Sequence, residues 1–165
     1  MLLYHGSNLP VNKPRLIEQT RGLDFGAGFY MTARQIQAYD FAEAVTYRRK
    51  QGIPTVSVYE FDEKIADKSL DIKIFSEANA QWLEFVKENR LKIYAGKQYD
   101  IIIGPVSDDR VFLTLQGLII GQFTAEVALS ILKPYKLYDQ YCMATDAALS
   151  TLIYKKSVTS REEIN

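Results

Sequence analysis

Apolar residues in this chain fall into short runs whose period changes from place to place. LLYH, ending at His5, predicts a short strand over Met1–His5, and Pro10 and Pro14 then break any regular element. Residues 21–32, RGLDFGAGFYMT, carry three glycines and finish on β-prone residues, so they predict a flexible loop entering a strand. From 34 to 50, Ile36, Tyr39, Ala42, Val45 and Tyr47 recur near helical spacing, and Gly52 and Pro54 stop that helix. TVSVYEF (55–61) alternates in part. LDIKIF (70–75) alternates strictly and puts Leu70, Ile72 and Ile74 on one face.

Further on, Ser76 can cap a helix over 77–90 that buries Trp82, Leu83 and Val86. The continuous apolar run of YDIIIGPV (99–106) predicts a buried strand. Residues 108–133 predict helix divided at Gly121, with Thr124 as an N-cap and Pro134 after the end. YKLYDQYCMA (135–144) predicts a strand, and Thr145 caps a short helix from Asp146. The last eleven residues, KKSVTSREEIN, are polar and predict a frayed tail. Strands and helices mix without regular βαβ alternation, which favours an α+β fold. One domain over 1–154 and a polar tail over 155–165 follow, with no internal repeat or low-complexity segment.

Composition changes this picture little. The 165 residues suffice for a proper core, and 47% hydrophobic with 24% charged residues is ordinary for a globular domain. Lys+Arg and Asp+Glu are both 20, so global charge offers no attraction for nucleic acid or membrane. A single cysteine, Cys142, forbids an internal disulfide, and with one histidine it cannot build a His/Cys zinc site, so no metal is expected. The apolar run at the start lacks a basic leader and ends at Tyr4, and no run approaches the ~20 residues of a membrane helix. A cytoplasmic chain without a signal peptide is expected.

The candidate chemistry centres on His5, the one histidine, which precedes the small residues Gly6 and Ser7. GLDFGAGFY contains G-x-x-x-G-x-G but lacks the phosphate-loop Gly-Lys-Ser/Thr and leads into a strand, so no helix N-terminus faces a phosphate. Gly26 and Gly28, just before Phe29 and Tyr30, allow close backbone approach to a ligand. Cys142 with His5 would form a minimal dyad, but its setting in YCMA reads as a buried structural thiol. Asp109 and Arg110 follow the strand end IIIGPV, where site residues are common and where a helix start would equally place an aspartate.

The ordered set Y-H-G-S, then D-F-G-x-G-F-Y-x-T, then Q-A in the next helix, resembles bacterial ADP-ribosyltransferases of the diphtheria-toxin and poly-ADP-ribose-polymerase type, whose triad is H-Y-E. More closely, the chain resembles a small bacterial family of that superfamily, a domain of unknown function, whose members share YEFD, WLEFV, YDIIIGPV-x-DDRVF and KPYKLYDQ. The resemblance implies an α+β split β-sheet with flanking helices and NAD in a cleft between two small sheets. It implies that His5 bonds a ribose hydroxyl, that the Gly6 backbone holds the nicotinamide amide, and that Ser7 contacts the ribose. Tyr30 would stack on the nicotinamide ring, with Phe29 beside it and Thr32 one pleat further on the face of Tyr30. Tyr39 and Phe41 both fall near the position of a second stacking aromatic. Asp24, Asp109 and Arg110 take acceptor-side or auxiliary places.

The third position departs from the pattern, for Gln140 stands where the superfamily has glutamate. A carboxylate beneath the ribose 2′-hydroxyl best stabilises the oxocarbenium-like ribose that forms as nicotinamide leaves. A neutral carboxamide still accepts that hydroxyl, with a loss of about ten- to a hundred-fold in rate. The resemblance thus implies an NAD-dependent mono-ADP-ribosyltransferase, toxin-like or regulatory, with a macromolecular acceptor, protein rather than nucleic acid. A small antitoxin-like partner protein would suit it. The competing expectations are a weak or inactive module that binds NAD or ADP-ribose, and an interaction module with a degenerate cleft.

Overall fold

A computed structural model describes residues 1–18, 21–105, 109–132 and 139–164. Seven strands are β1 (Leu2–Ser7), β2 (Phe29–Thr32), β3 (Thr55–Phe61), β4 (Ile72–Ile74), β5 (Ile101–Pro105), β6 (Asp139–Met143) and β7 (Leu152–Val158). Among them run the helices α1 (Gln35–Arg49), α2 (Glu63–Ser69), α3 (Ala80–Leu91), α4 (Asp109–Ile119), α5 (Ala125–Leu132) and α6 (Asp146–Leu149). The strands form one mixed sheet in the order β4-β5-β6-β2-β1-β3-β7, antiparallel except for the parallel β4–β5 pair. The α+β class therefore holds, while the two small sheets of the resemblance are joined into one.

The join is narrow. β1 is registered with β3 from Leu2–Glu60 through Ser7–Thr55, and β2 with β6 from Phe29–Met143 through Thr32–Gln140. Between β1 and β2 the register is a single pair, Tyr4–Thr32. One half-sheet, β4-β5-β6-β2, thus meets the other, β1-β3-β7, at one point.

Strand alternation sorts the core onto two faces. On one face Leu3, Phe29, Met31, Tyr59, Phe61, Ile101 and Met143 form a continuous cluster that reaches across the join, with Ala66 of α2 and Ala148 and Leu149 of α6 packed on it. The other face carries two separate clusters. α3, α4 and α5 place Trp82, Leu83, Val86, Val111, Leu115, Ala128 and Leu132 over Ile102 and Cys142. α1 places Ala38 and Tyr39 over Val56, with Tyr4 alongside. The boundary between these two clusters lies over the join of β1 and β2.

Close packing holds α1 to β1. A Cβ on Gly6 would sit 1.9 Å from the Ala38 carbonyl oxygen, so the smallness of Gly6 serves this helix contact. Gly28 is likewise required by its neighbour strand, since a Cβ there would lie 2.3 Å from the Cys142 sulfur. Gly26 has φ +80°, a turn conformation that suits glycine.

Three local expectations change. The α3 cap is Asn79, whose side chain accepts from the Trp82 backbone N–H at 3.0 Å, rather than Ser76. α2 occupies 63–69, so the strand expected over 70–75 shrinks to Ile72–Ile74. The polar tail is an ordered edge: β7 continues through Val158 against β3, and Arg161 pairs with Asp40 and Glu43 of α1. Its polarity reflects an edge strand with Lys155 and Lys156 turned to water.

Candidate functional site

Register places the singled-out residues in a transverse row. Tyr4, Thr32, Gln140 and Gly104 lie side by side across β1, β2, β6 and β5, and Tyr30 pairs with Cys142 one pleat away on the same face. Thr32 and Tyr30 thus share a face, as the period of 2 requires. The floor between the α1 cluster and the α3–α5 cluster is made by this row.

Gln140 is only 7% exposed and Asp24 8%. The Gln140 amide donates from Nε2 to Asp24 Oδ2 at 3.3 Å, while Arg90 of α3 donates from Nε to Asp24 Oδ1 at 2.6 Å. A second guanidinium nitrogen of Arg90 lies 2.5 Å from the same oxygen. Residues 24, 90 and 140 so form one buried polar cluster, and the Arg90 guanidinium also lies 5.1 Å from the centre of the Phe112 ring of α4. Thr32 donates to Gln37 Oε1 at 2.7 Å and accepts from the Arg34 N–H at 3.2 Å, so it fastens the start of α1 to β2.

Tyr30 is held at its far end. Its hydroxyl donates to the Gly26 carbonyl at 2.6 Å and accepts from the Phe25 N–H at 3.1 Å. Burial, then the neighbouring Cys142 thiol, raise the phenol pKa well above the ordinary value, so it stays protonated. Cys142 is fully buried, and burial pushes its thiol up to about 12. It lies across the sheet from the His5 ring and has no nucleophilic role with it.

His5 occupies a different place from the one the resemblance implies. Counting back from the Tyr4–Thr32 pair puts its side chain on the face of Phe29 and Met31, opposite Tyr30 and Gln140. Its ring stacks on Phe29, with centroids 4.2 Å apart. It reaches the site strand through the main chain, for Nδ1 lies 2.7 Å from the Tyr30 carbonyl oxygen. A carbonyl only accepts, so Nδ1 carries the proton and neutral Nε2 keeps its lone pair. Burial lowers the imidazole pKa below 6.5, more than the Tyr30 bond raises it.

A pH dependence follows. As the folded imidazole stays neutral to lower pH than the unfolded one, the unfolded chain binds more protons between the two values. The contribution of His5 to stability is present above about 6.5 and lost as pH falls through the folded value. The ring-proton resonances of this one histidine are expected to titrate below 6.5 in proton NMR, and His5→Gln to flatten this part of the acid unfolding curve. Titration above 6.5 would contradict the burial.

Other expectations find other roles. Phe29 lies in the buried core, stacked on His5. Tyr39 is buried against β1 and β3, its hydroxyl 3.4 Å from the Thr159 carbonyl, so it packs α1 and offers no free ring. Phe41, on the outer side of α1, is 51% exposed. Gly6 and Ser7 stay on β1, registered with Val56 and Thr55. The side chains of Asp109 and Arg110 lie outside the described residues, as do residues 106–108 and 133–138. Arg90 was not foreseen; nothing in VKENRLK distinguishes it from a surface arginine. A cavity of about 410 Å³ lies elsewhere, lined by Glu60, Asp62, Ser69, Leu70, Ser150 and Ile153, and none of the foreseen residues lines it.

Fold and site together define an α+β domain with a buried polar cluster beside a narrow strand junction. The chain belongs to the family described as Protein of unknown function (DUF3990), whose model matches residues 1–154. No curated protein and no solved structure matches it. Among the described residues, no helix is long and apolar enough to cross a membrane.

Proposed function

We propose that this chain is an NAD-dependent mono-ADP-ribosyltransferase acting on a macromolecular acceptor, with the dinucleotide lying over the β1–β2 junction. The observation that carries this reading is that single-pair junction, with Tyr30, Thr32 and Gln140 in register on one side of it. A phenol ring tied to the Gly26 loop is a rigid platform for a flat nicotinamide. In this reading Gln140 accepts the ribose 2′-hydroxyl. His5 serves as a positioning residue, holding β2 through the Tyr30 carbonyl.

In the reaction the bond between nicotinamide and ribose C1′ breaks, and its electron pair leaves with nicotinamide as a neutral base. The acceptor's lone pair forms the new bond to C1′, and its proton passes to solvent. A protein acceptor suits the zero net charge, which draws no nucleic acid. Phe112, Leu113 and Ile120 on and just after α4 are exposed and offer it an apolar rest.

Incubation of the full chain with labelled NAD and a cell lysate tests the reading. Label is expected on protein, with at least a tenfold loss in Tyr30→Ala. No transfer from wild type, or equal transfer from Tyr30→Ala, would contradict it. The neutral Gln140 favours one alternative, a module that binds NAD without cleaving it. Calorimetric binding with no nicotinamide released over hours would select that alternative.

A further inference from the structure

We propose that Asp24 is a positioning residue of this site and supplies, through the carboxamide of Gln140, the negative charge that Gln140 itself lacks. The inference rests on the ADP-ribosyl-transfer reading and adds to it where the charge resides.

The two oxygens of Asp24 divide their work. Oδ1 takes both contacts from the Arg90 guanidinium, and Oδ2 takes the Gln140 amide. Three distant parts of the chain, the loop before β2, the last turn of α3 and the start of β6, converge on this one carboxylate. A surface arrangement would be loose, but here Asp24 and Gln140 are both more than nine-tenths buried. Arg90 fixes the carboxylate and the carboxylate fixes the amide.

That hydrogen bond decides which way the amide points. Nε2 donates to Asp24, so Oε1 points away from that carboxylate. An amide that donates to a carboxylate is polarised, and its oxygen becomes a stronger acceptor. A ribose hydroxyl meeting Oε1 would feel a carboxylate one hydrogen bond removed. No proton changes owner in this relay. The carboxylate also explains why glutamine rather than glutamate stands at 140: a second carboxylate 3.3 Å from Asp24 would put like charges in contact inside the protein.

The test is a charge swap, read as nicotinamide release from NAD by the full chain, with melting curves to show that each variant is folded. Asp24→Asn is expected to lower kcat about tenfold while KM for NAD changes less than about twofold. Gln140→Glu alone is expected to lower kcat as well. The double variant D24N/Q140E, which moves the carboxylate across one hydrogen bond, is expected to recover kcat to within about threefold of wild type. If Asp24→Asn does not fold, D24N/R90Q keeps the cluster neutral and should show the same loss. Wild-type kcat in Asp24→Asn, or a Gln140→Glu variant faster than wild type and not improved by Asp24→Asn, would overturn the relay alone. A wild type that neither binds NAD in calorimetry nor releases nicotinamide would overturn the transferase reading, and the relay with it.

Discussion

Arg90→Met is expected to destabilise the folded chain by about 3–5 kcal/mol, because it leaves the Asp24 carboxylate buried without its partner. The Asp24 and Arg90 side chains keep only 10% and 12% of their surface, so water cannot replace the guanidinium. The remaining contact, one Gln140 amide at 3.3 Å, cannot offset the desolvation of a full charge. Methionine roughly preserves the apolar stem, which separates charge loss from packing loss. The double variant D24N/R90M removes both charges and should recover most of the stability, to within about 1–2 kcal/mol of wild type. Urea unfolding at neutral pH measures all three chains. A cost below about 1 kcal/mol for Arg90→Met would mean that the carboxylate is solvated, and the buried cluster would not exist as described.

Trp82→Ala has an effect of similar size, about 3–5 kcal/mol. Trp82 is fully buried among the aromatics Phe25, Phe75 and Phe85 and the helices α4 and α5, so its removal leaves a cavity that stiff neighbours cannot fill. Its indole N–H makes no hydrogen bond among the described residues. Trp82→Phe therefore loses volume but also removes an unsatisfied donor, and is expected to cost about 1 kcal/mol or less. Equal losses in both variants would show that the indole N–H finds a partner. Because α3 carries both Trp82 and Arg90, loosening this helix would also loosen the Asp24–Gln140 contact.

Much of the fold was legible because each period points to one structure. Of the α1 repeat, Tyr39, Ala42 and Val45 fall on a buried stripe that Ala38 completes, while Ile36 is half-buried and Tyr47 is exposed, and FYMT puts Tyr30 and Thr32 on one face. Thr145 and Thr124 cap α6 and α5 as their positions suggest. The tail misled because an edge strand needs only one partner, so KKSV keeps its charges and still pairs with β3. Ser76 and Asn79 are both good caps, and the choice fell to the one that turns Trp82 into the core.

The site was legible only in part. Tyr30, Thr32 and Gln140 belong to two strands whose pairing brings them together, and a strand pattern alone suggests their common face. The face of His5 depends on the register of β1 with β2, which one pair decides and no local pattern records. Asp24 finds Arg90 across 66 residues and Gln140 across 116, distances over which composition and spacing carry no information. The carboxamide at 140 was visible in the sequence; the Asp24 carboxylate beside it was visible only in three dimensions.

A crystal structure of the full chain grown with NAD tests the central claim most directly. Density for the nicotinamide and its ribose is expected over the β1–β2 junction, the ring against Tyr30 and the 2′-hydroxyl within hydrogen-bond distance of Gln140 Oε1. Density elsewhere on the molecule, or an empty junction at saturating NAD, would contradict it.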